Sequence, residues 1–363
     1  MFTQQNRDEL ESRGVTVVHD VIPEEDCDRH QANFRRWLGT FPLNAWPQNR
    51  NSLIQRYKSG HLQPAWEARI AAKPVFAQVW GTDKLLTSMD AVAIGRPPEE
   101  GAESFWAPGD SWLHVDQTAD KEGLHAYQGA VYLEHCAEDD WTFEVVEGSH
   151  KYFEDFADMT SQWRCKNIKE HHVQWFKERG CQRRRVPCPK GGLILWDSRL
   201  VHANARPIQG RQNPGRWRFV VFVCMAPAAW ASHADLAKKV DAYERLQLTT
   251  HWPSQEVRTF SDRVTNNSVA DPNPRMTLPE VARTDEVKRL VGALAYDEDD
   301  EEEEGKCEGE GAAGCENVRA VGGAPGSEFR PKFNREKWRA HLEEFQDWRG
   351  RGKGGNRRRA HRV

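Results

Sequence analysis

Hydrophobic positions come in short bursts through the first two thirds of the chain. Residues 15–21, Val-Thr-Val-Val-His-Asp-Val, are dense in β-branched side chains and predict a strand. Ile22-Pro23-Glu24-Glu25-Asp26 then opens a helix, because Pro and acidic side chains both suit a first turn. Phe34, Trp37 and Leu38 give that helix its apolar positions, and Gly39 ends it. A second helix is predicted over 65–80, with Trp66, Ile70, Val75 and Val79 on a rough stripe. Residues 85–94 lean towards strand, and Gly95-Arg-Pro-Pro breaks them. Six short strands are predicted from there to Met225, at 111–117, 128–135, 141–146, 184–187, 193–197 and 217–225. Short strands at this density predict a sandwich or jelly roll. Helix formers are enriched at 152–180, and a helix returns at 231–246. The expected fold class is mainly β with flanking helices, α+β.

After Tyr296 the pattern stops. Residues 297–304 are eight consecutive acids, and Gly-rich sequence follows to about Gly326. Such a run buries too little apolar area to offset its ordering entropy, so 296–330 reads as a disordered acidic linker. In 331–363, Phe333, Trp338, Leu342, Phe345 and Trp348 predict a short amphipathic helix, followed by a basic Gly-rich tail from Arg349. The tail is either solvated, pairing loosely with the acidic run, or a contact for nucleic acid or an import receptor. Residues 1–295 are left as one domain with its core at about 10–228.

Composition narrows the class. A net charge of −4 over 363 residues sets up no global field for nucleic acid. The mean hydropathy is −0.81, and no apolar run reaches membrane-spanning length. The first residues lack the apolar core of a signal peptide. The eight Cys form no C-x-x-C pair, so free thiols in a reducing compartment are expected. These features predict a cytoplasmic location, with the nucleus left open. Oligomeric state is left open too.

The chemistry centres on Trp112-Leu113-His114-Val115-Asp116-Gln117 and, downstream, Trp196-Asp197-Ser198-Arg199-Leu200-Val201-His202. Residues i and i+2 of a strand share a face, so His114 and Asp116 can grip one ion, and a neighbouring strand can add His202. Two imidazoles and a carboxylate on one face are the donor set of non-heme Fe(II) oxygenases. A second H-x-D triplet, His233-Ala234-Asp235, lies in a predicted helix, where i and i+2 diverge.

With these pieces in order, the sequence resembles the phytanoyl-CoA dioxygenase family of Fe(II)/2-oxoglutarate oxygenases. The likeness runs from about residue 10 to 228. It rests on the strand and helix opening at Gly14, on Trp112-Leu-His-Val-Asp-Gln, and on Glu147-Gly-Ser-His150, with Glu where the family has Pro. Gly191-Gly192 leading to His202 completes it. The resemblance implies a double-stranded β-helix with Fe(II) held by His114, Asp116 and His202. It also implies 2-oxoglutarate and O2 as cosubstrates, a small-molecule substrate, and products including succinate and CO2. An Arg should take the far carboxylate of 2-oxoglutarate. Arg216 and Arg218 are the candidates, both expected inward by alternation, with Arg216 favoured. Thr142 and Asn204 stand where the family often places hydrogen-bond donors around the cosubstrate; Gln117, directly after the Asp, and Gln128, at the start of the next strand, are further cosubstrate candidates, and for each of the four the alternative is a structural polar group. Asp116 argues against a halogenase. The alternatives are a jelly-roll binding module with a vestigial metal site, and a cupin-type iron enzyme that does not use 2-oxoglutarate. Segments 40–65, 99–110 and 152–180 are expected to build the substrate face.

Overall fold

The computed structural model describes residues 1–43, 45–106, 112–121, 123–160, 168–260 and 269–296. It opens with α1 (Gln4–Arg13), capped by Thr3, which runs into β1 (Val15–Val18). Helix α2 (Glu24–Leu38) starts after Pro23 and carries Glu24, Glu25 and Asp26 in its first turn, as its sequence predicts. After the short β2 (Leu53–Ile54) comes α3 (Gln63–Trp80), then β3 (Leu85–Thr87) and β4 (Val92–Gly95). The central strands are β5 (Tyr127–Tyr132) and β6 (Thr142–Glu147). Helices α4 (Phe153–Met159) and α5 (Glu170–Lys177) separate these from β7 (Gln182–Val186), β8 (Leu193–Asp197), β9 (His202–Ala205) and β10 (Arg218–Pro227). Helices α6 (His233–Glu244) and α7 (Asp285–Leu290) follow.

Two antiparallel sheets result. The seven-stranded one runs β1-β8-β5-β10-β4-β2, with β3 also on β10, and the three-stranded one runs β7-β6-β9. Strand alternation divides β10 between two cores. Phe219, Val221 and Val223 pack outward with Phe34 and Phe76 of α2 and α3. Val220 packs inward with Tyr132, Phe143 and Trp196, between the two sheets. The fold is a jelly roll with helices on its outer face, α+β as expected. Gly191 allows the chain to close behind β1, because a Cβ there would lie 2.0 Å from the Ile22 carbonyl oxygen.

Three local expectations differ. Residues 112–117 form no regular strand, and only His114 is bridged, to His202. Strand β9 and helix α1 lacked a sequence signal; α1 has few apolar residues and is held by capping and by Asn6, which donates to Thr16 Oγ1 and the Val17 carbonyl. The described cysteines Cys27, Cys136, Cys181, Cys188 and Cys224 are buried free thiols. Among the described residues no helix is long and apolar enough to cross a membrane. The acidic run, the amphipathic helix and the basic tail lie outside the described residues.

Candidate metal and cosubstrate site

His114 and His202 exchange both backbone hydrogen bonds, N–H to carbonyl, at 3.0 and 2.9 Å. That reciprocal pair sets their rings 4.4 Å apart at the inner mouth of the roll. Each Nδ1 meets the carbonyl oxygen two residues earlier, Trp112 at 3.0 Å and Leu200 at 2.9 Å. A carbonyl only accepts, so each Nδ1 carries the proton and each Nε2 keeps a free lone pair. Both lone pairs face Asp116: His114 Nε2 lies 3.4 Å from Oδ1 and His202 Nε2 3.3 Å from Oδ2. The ligand atoms of all three residues lie within 4.8 Å of one another.

The surroundings hold this donor set in its metal-binding state. Trp112 stacks on His114 at 4.5 Å, and Phe143 and Trp196 flank His202 at 5.3 and 5.4 Å. Burial, then His114, lowers the His202 pKa, which keeps its imidazole neutral. Burial pushes the Asp116 carboxyl up, but His251, His202 and His114 outweigh it and hold it well below the usual range. Gln128 Nε2 donates to Asp116 Oδ2 at 3.0 Å and orients the carboxylate. Two imidazole Nε2 atoms and an ionised carboxylate converging on one point fit iron.

The candidate cation for the cosubstrate lies on β10. Arg218 is 3% exposed; its Nη2 donates to Asn204 Oδ1 at 2.7 Å and lies 3.4 Å from the Tyr132 hydroxyl. Its Nε and Nη1 are buried without a hydrogen-bond partner. A buried guanidinium with two free N–H groups is matched to a carboxylate. Burial raises the Tyr132 pKa, so the phenol stays neutral beside it. Arg216 does not share this position. It precedes the first residue of β10, where alternation has not begun, and its Nη1 pairs with Asp140 at 2.8 Å. The geometry therefore disfavours Arg216, the first choice from sequence.

The other residues divide. Gln128 and Asn204 line the cavity above the triad. Gln117 does not: its amide donates to the Lys121 and Gly123 carbonyls and its oxygen accepts from Ser198 Oγ, fixing the loop after the triad. Thr142 donates its hydroxyl to the Val186 carbonyl and ties β6 to β7. Asp197 and Arg199 pair with each other. His150 is held by the Glu11 carbonyl. His233 opens α6, away from the metal ligands. Two cavity residues carried no sequence signal, Asp90 between β3 and β4 and His251 after α6. Neither belongs to a spaced motif, and only the fold brings them to the triad.

The phytanoyl-CoA dioxygenase family model matches residues 10–208. The chain is 27% identical over 276 residues to the Ava biosynthesis cluster protein O of Aspergillus versicolor, covering 69% of this chain and 86% of that protein. Among solved structures it resembles GlcNAc inducible gene 2 of Candida albicans, at a TM-score of 0.54 and 13% identity, covering 83% of this chain and 78% of that one. It also resembles a hypothetical protein of Escherichia coli, at a TM-score of 0.53 and 12% identity, covering 80% and 82%. These structural likenesses concern the fold. The family match takes in more than half of the 363 residues and contains the whole His-Asp-His set, and on it the chain belongs to the phytanoyl-CoA dioxygenase family of iron- and 2-oxoglutarate-dependent oxygenases.

Proposed function

We propose that this chain hydroxylates a small organic substrate, with 2-oxoglutarate decarboxylated to succinate and CO2. The observation that carries the reading is the convergence of two imidazole Nε2 atoms and one carboxylate at the base of a cavity of about 160 Å3. Iron held there would supply O2 activation at positions the three protein ligands leave open. The protein's own share is binding, orientation and exclusion of water. Backbone carbonyls accept from Nδ1 of His114 and His202 and turn each Nε2 towards Asp116. Gln128 fixes the rotation of the Asp116 carboxylate. Arg218, steadied by Asn204, is placed to receive the far carboxylate of 2-oxoglutarate. Trp112, Phe143 and Trp196 shield the imidazoles from bulk water.

The test is Fe(II)-dependent succinate formation from 2-oxoglutarate, run with a panel of candidate substrates. Turnover should need iron and disappear in His114→Ala and His202→Ala. A folded wild-type chain that binds metal yet never forms succinate would instead be a binding module with a vestigial site.

A further inference from the structure

The cavity above the triad contains a second carboxylate that the metal chemistry does not use. Asp90 is 6% exposed and lines the same cavity as His114, Asp116 and His202. Its backbone is pinned. The fully buried Arg69 donates to the Gly60 carbonyl and, at 2.7 Å, to the Asp90 carbonyl. Gly60 must be glycine, because a Cβ there would lie 2.0 Å from the Asp90 carbonyl oxygen. The side chain is thereby aimed into the cavity.

Its two oxygens are not equivalent. Oδ1 accepts from the Ala91 N–H at 2.6 Å. Oδ2 has no hydrogen bond among the described residues, and His251 Nδ1 lies 3.9 Å away. Asp90 also stands apart from the three-residue metal group. Burial raises its carboxyl pKa, and His251, the Ala91 N–H and Arg69 only partly oppose that. A carboxylate taken out of water needs a partner, and an ionised one only accepts. Trp112, Phe222 and Phe260 line the same cavity. Aromatic faces attract cations as well as burying apolar groups.

We propose that Asp90 anchors the substrate, and that the substrate carries an amine or another cationic N–H donor on an apolar body. This rests on the oxygenase reading and names its substrate class. The cationic nitrogen donates to Asp90 Oδ2, and the apolar body lies along Trp112, Phe222 and Phe260. A neutral or anionic analogue leaves the buried carboxylate unpaired and is rejected.

The test uses the full chain and matched ligands that differ only at the end group. The probes are phenethylamine, 3-phenylpropionate and ethylbenzene, with the same three end groups on indole and cyclohexane frameworks. Thermal shifts of the metal-free chain measure binding in the cavity without a metal, and Asp90→Asn separates Asp90 from Asp116. Relaxation of ligand protons in the Mn(II)-loaded chain measures closeness to the triad. At least one amine should stabilise the metal-free chain and relax near Mn(II), while its carboxylate and neutral partners do neither. Asp90→Asn should weaken that amine at least about tenfold, which is about 1.4 kcal/mol. The amide still accepts from Ala91, so the melting temperature of ligand-free Asp90→Asn should stay or rise. The proposal is overturned if no amine binds, if the carboxylates or neutral probes bind better, or if Asp90→Asn binds the amine like wild type. A fall of several degrees in ligand-free Asp90→Asn would also overturn it, by making the carboxylate structural. Mn(II) binding that is absent, or unchanged in His114→Ala, would sink the metal reading alone, because the metal-free shifts still decide for Asp90.

Discussion

The assignment of Arg218 as the cosubstrate anchor allows a quantitative test against Arg216, two residues away. Arg218 has one strong hydrogen bond, to Asn204, and leaves Nε and Nη1 buried without partners. A bound carboxylate would accept from one of those nitrogens, since Nε–H and the Nη1 hydrogens point to different sides of the guanidinium. A hydrogen bond to a charged group is worth about 1.5–3 kcal/mol, so losing even one net contact should weaken 2-oxoglutarate roughly ten- to hundredfold. The change to make is Arg218→Met, which keeps much of the volume. Without ligand it should alter stability by no more than about 1 kcal/mol, because it removes two unsatisfied N–H groups along with one hydrogen bond. With 2-oxoglutarate at about 100 times its wild-type Kd, ligand binding stabilises the wild type by about 2.7 kcal/mol. A hundredfold loss of affinity would leave about 0.4 kcal/mol of that. Arg216→Ala should behave differently. It removes an ion pair with Asp140 that is partly open to solvent, and Asp140 keeps Arg211 at 3.0 Å. Its cost should be under about 1 kcal/mol, with the 2-oxoglutarate shift intact. Chemical denaturation with and without 2-oxoglutarate reads all four quantities. If Arg216→Ala loses the ligand-induced stabilisation and Arg218→Met keeps it, the assignment on β10 is wrong.

His114→Ala or His202→Ala should abolish iron binding measured by equilibrium dialysis, whereas His233→Ala should retain it; equal binding by all three would remove the triad. His61 is fully buried, and burial lowers its pKa to about 3, with the Gln247 carbonyl opposing. The unfolded chain then binds a proton that the folded one refuses between about pH 6.5 and 3, so this site should cost up to about 1.4 kcal/mol per pH unit as pH falls below 6.5. His61→Gln should flatten that slope in urea titrations, and an unchanged slope would locate the acid sensitivity elsewhere. Truncation after Tyr296 should keep the fold, because Tyr296 donates its hydroxyl to the Leu85 carbonyl and accepts from the Leu85 N–H. Truncation after Thr284 removes buried Val287, Leu290 and Val291 and should lower stability by several kcal/mol, about 2–5 for each large aliphatic lost. Equal stability of the two truncations would contradict this boundary.

What the sequence revealed depended on whether the signal was local. Helix α2 was legible because Pro23, three acids and the Phe34-Trp37-Leu38 spacing all lie within it. Strand β8 was legible because Leu193–Asp197 is a compact apolar run bounded by turn residues. The pairing of His114 with His202 needs two segments 88 residues apart, and the sequence offered it only as residue types compatible with one ion. Residues 112–117 form no regular ladder, yet they still place His114 and Asp116 together. The choice between Arg216 and Arg218 turned on where β10 begins. Gly215, at φ 82°, and the turn that brings the Arg216 N–H onto the Asn213 carbonyl delay that start to Arg218. Element boundaries of one or two residues are poorly marked by composition, yet they decide which side chain faces the barrel. His251 and Asp90 were invisible because neither repeats, alternates nor caps anything.

The cavity residues fall on both sides of the end of the family match. The three metal-ligand candidates, with Gln128, lie inside the segment that matches the family. Asp90 and Trp112 lie inside it too, whereas Phe222, His251 and Phe260 lie beyond it. The segment that delivers His251 is bound to the rest of the roll at several points. Thr249 N–H donates to the Met89 carbonyl at 2.9 Å, and Met89 N–H donates back to Thr249 Oγ1 at 2.8 Å. Lys121, in the loop after the triad, pairs with Glu256 and lies over the Trp252 ring. Asp90 follows Met89 directly, so the crossing that seats this segment also fixes the wall where the substrate anchor is proposed. Changes in 248–260 that keep the Thr249–Met89 crossing would then alter which substrate fits while leaving the His-Asp-His group in place. Changes that break the crossing would disturb Asp90 and His251 together, since both are held from the same point.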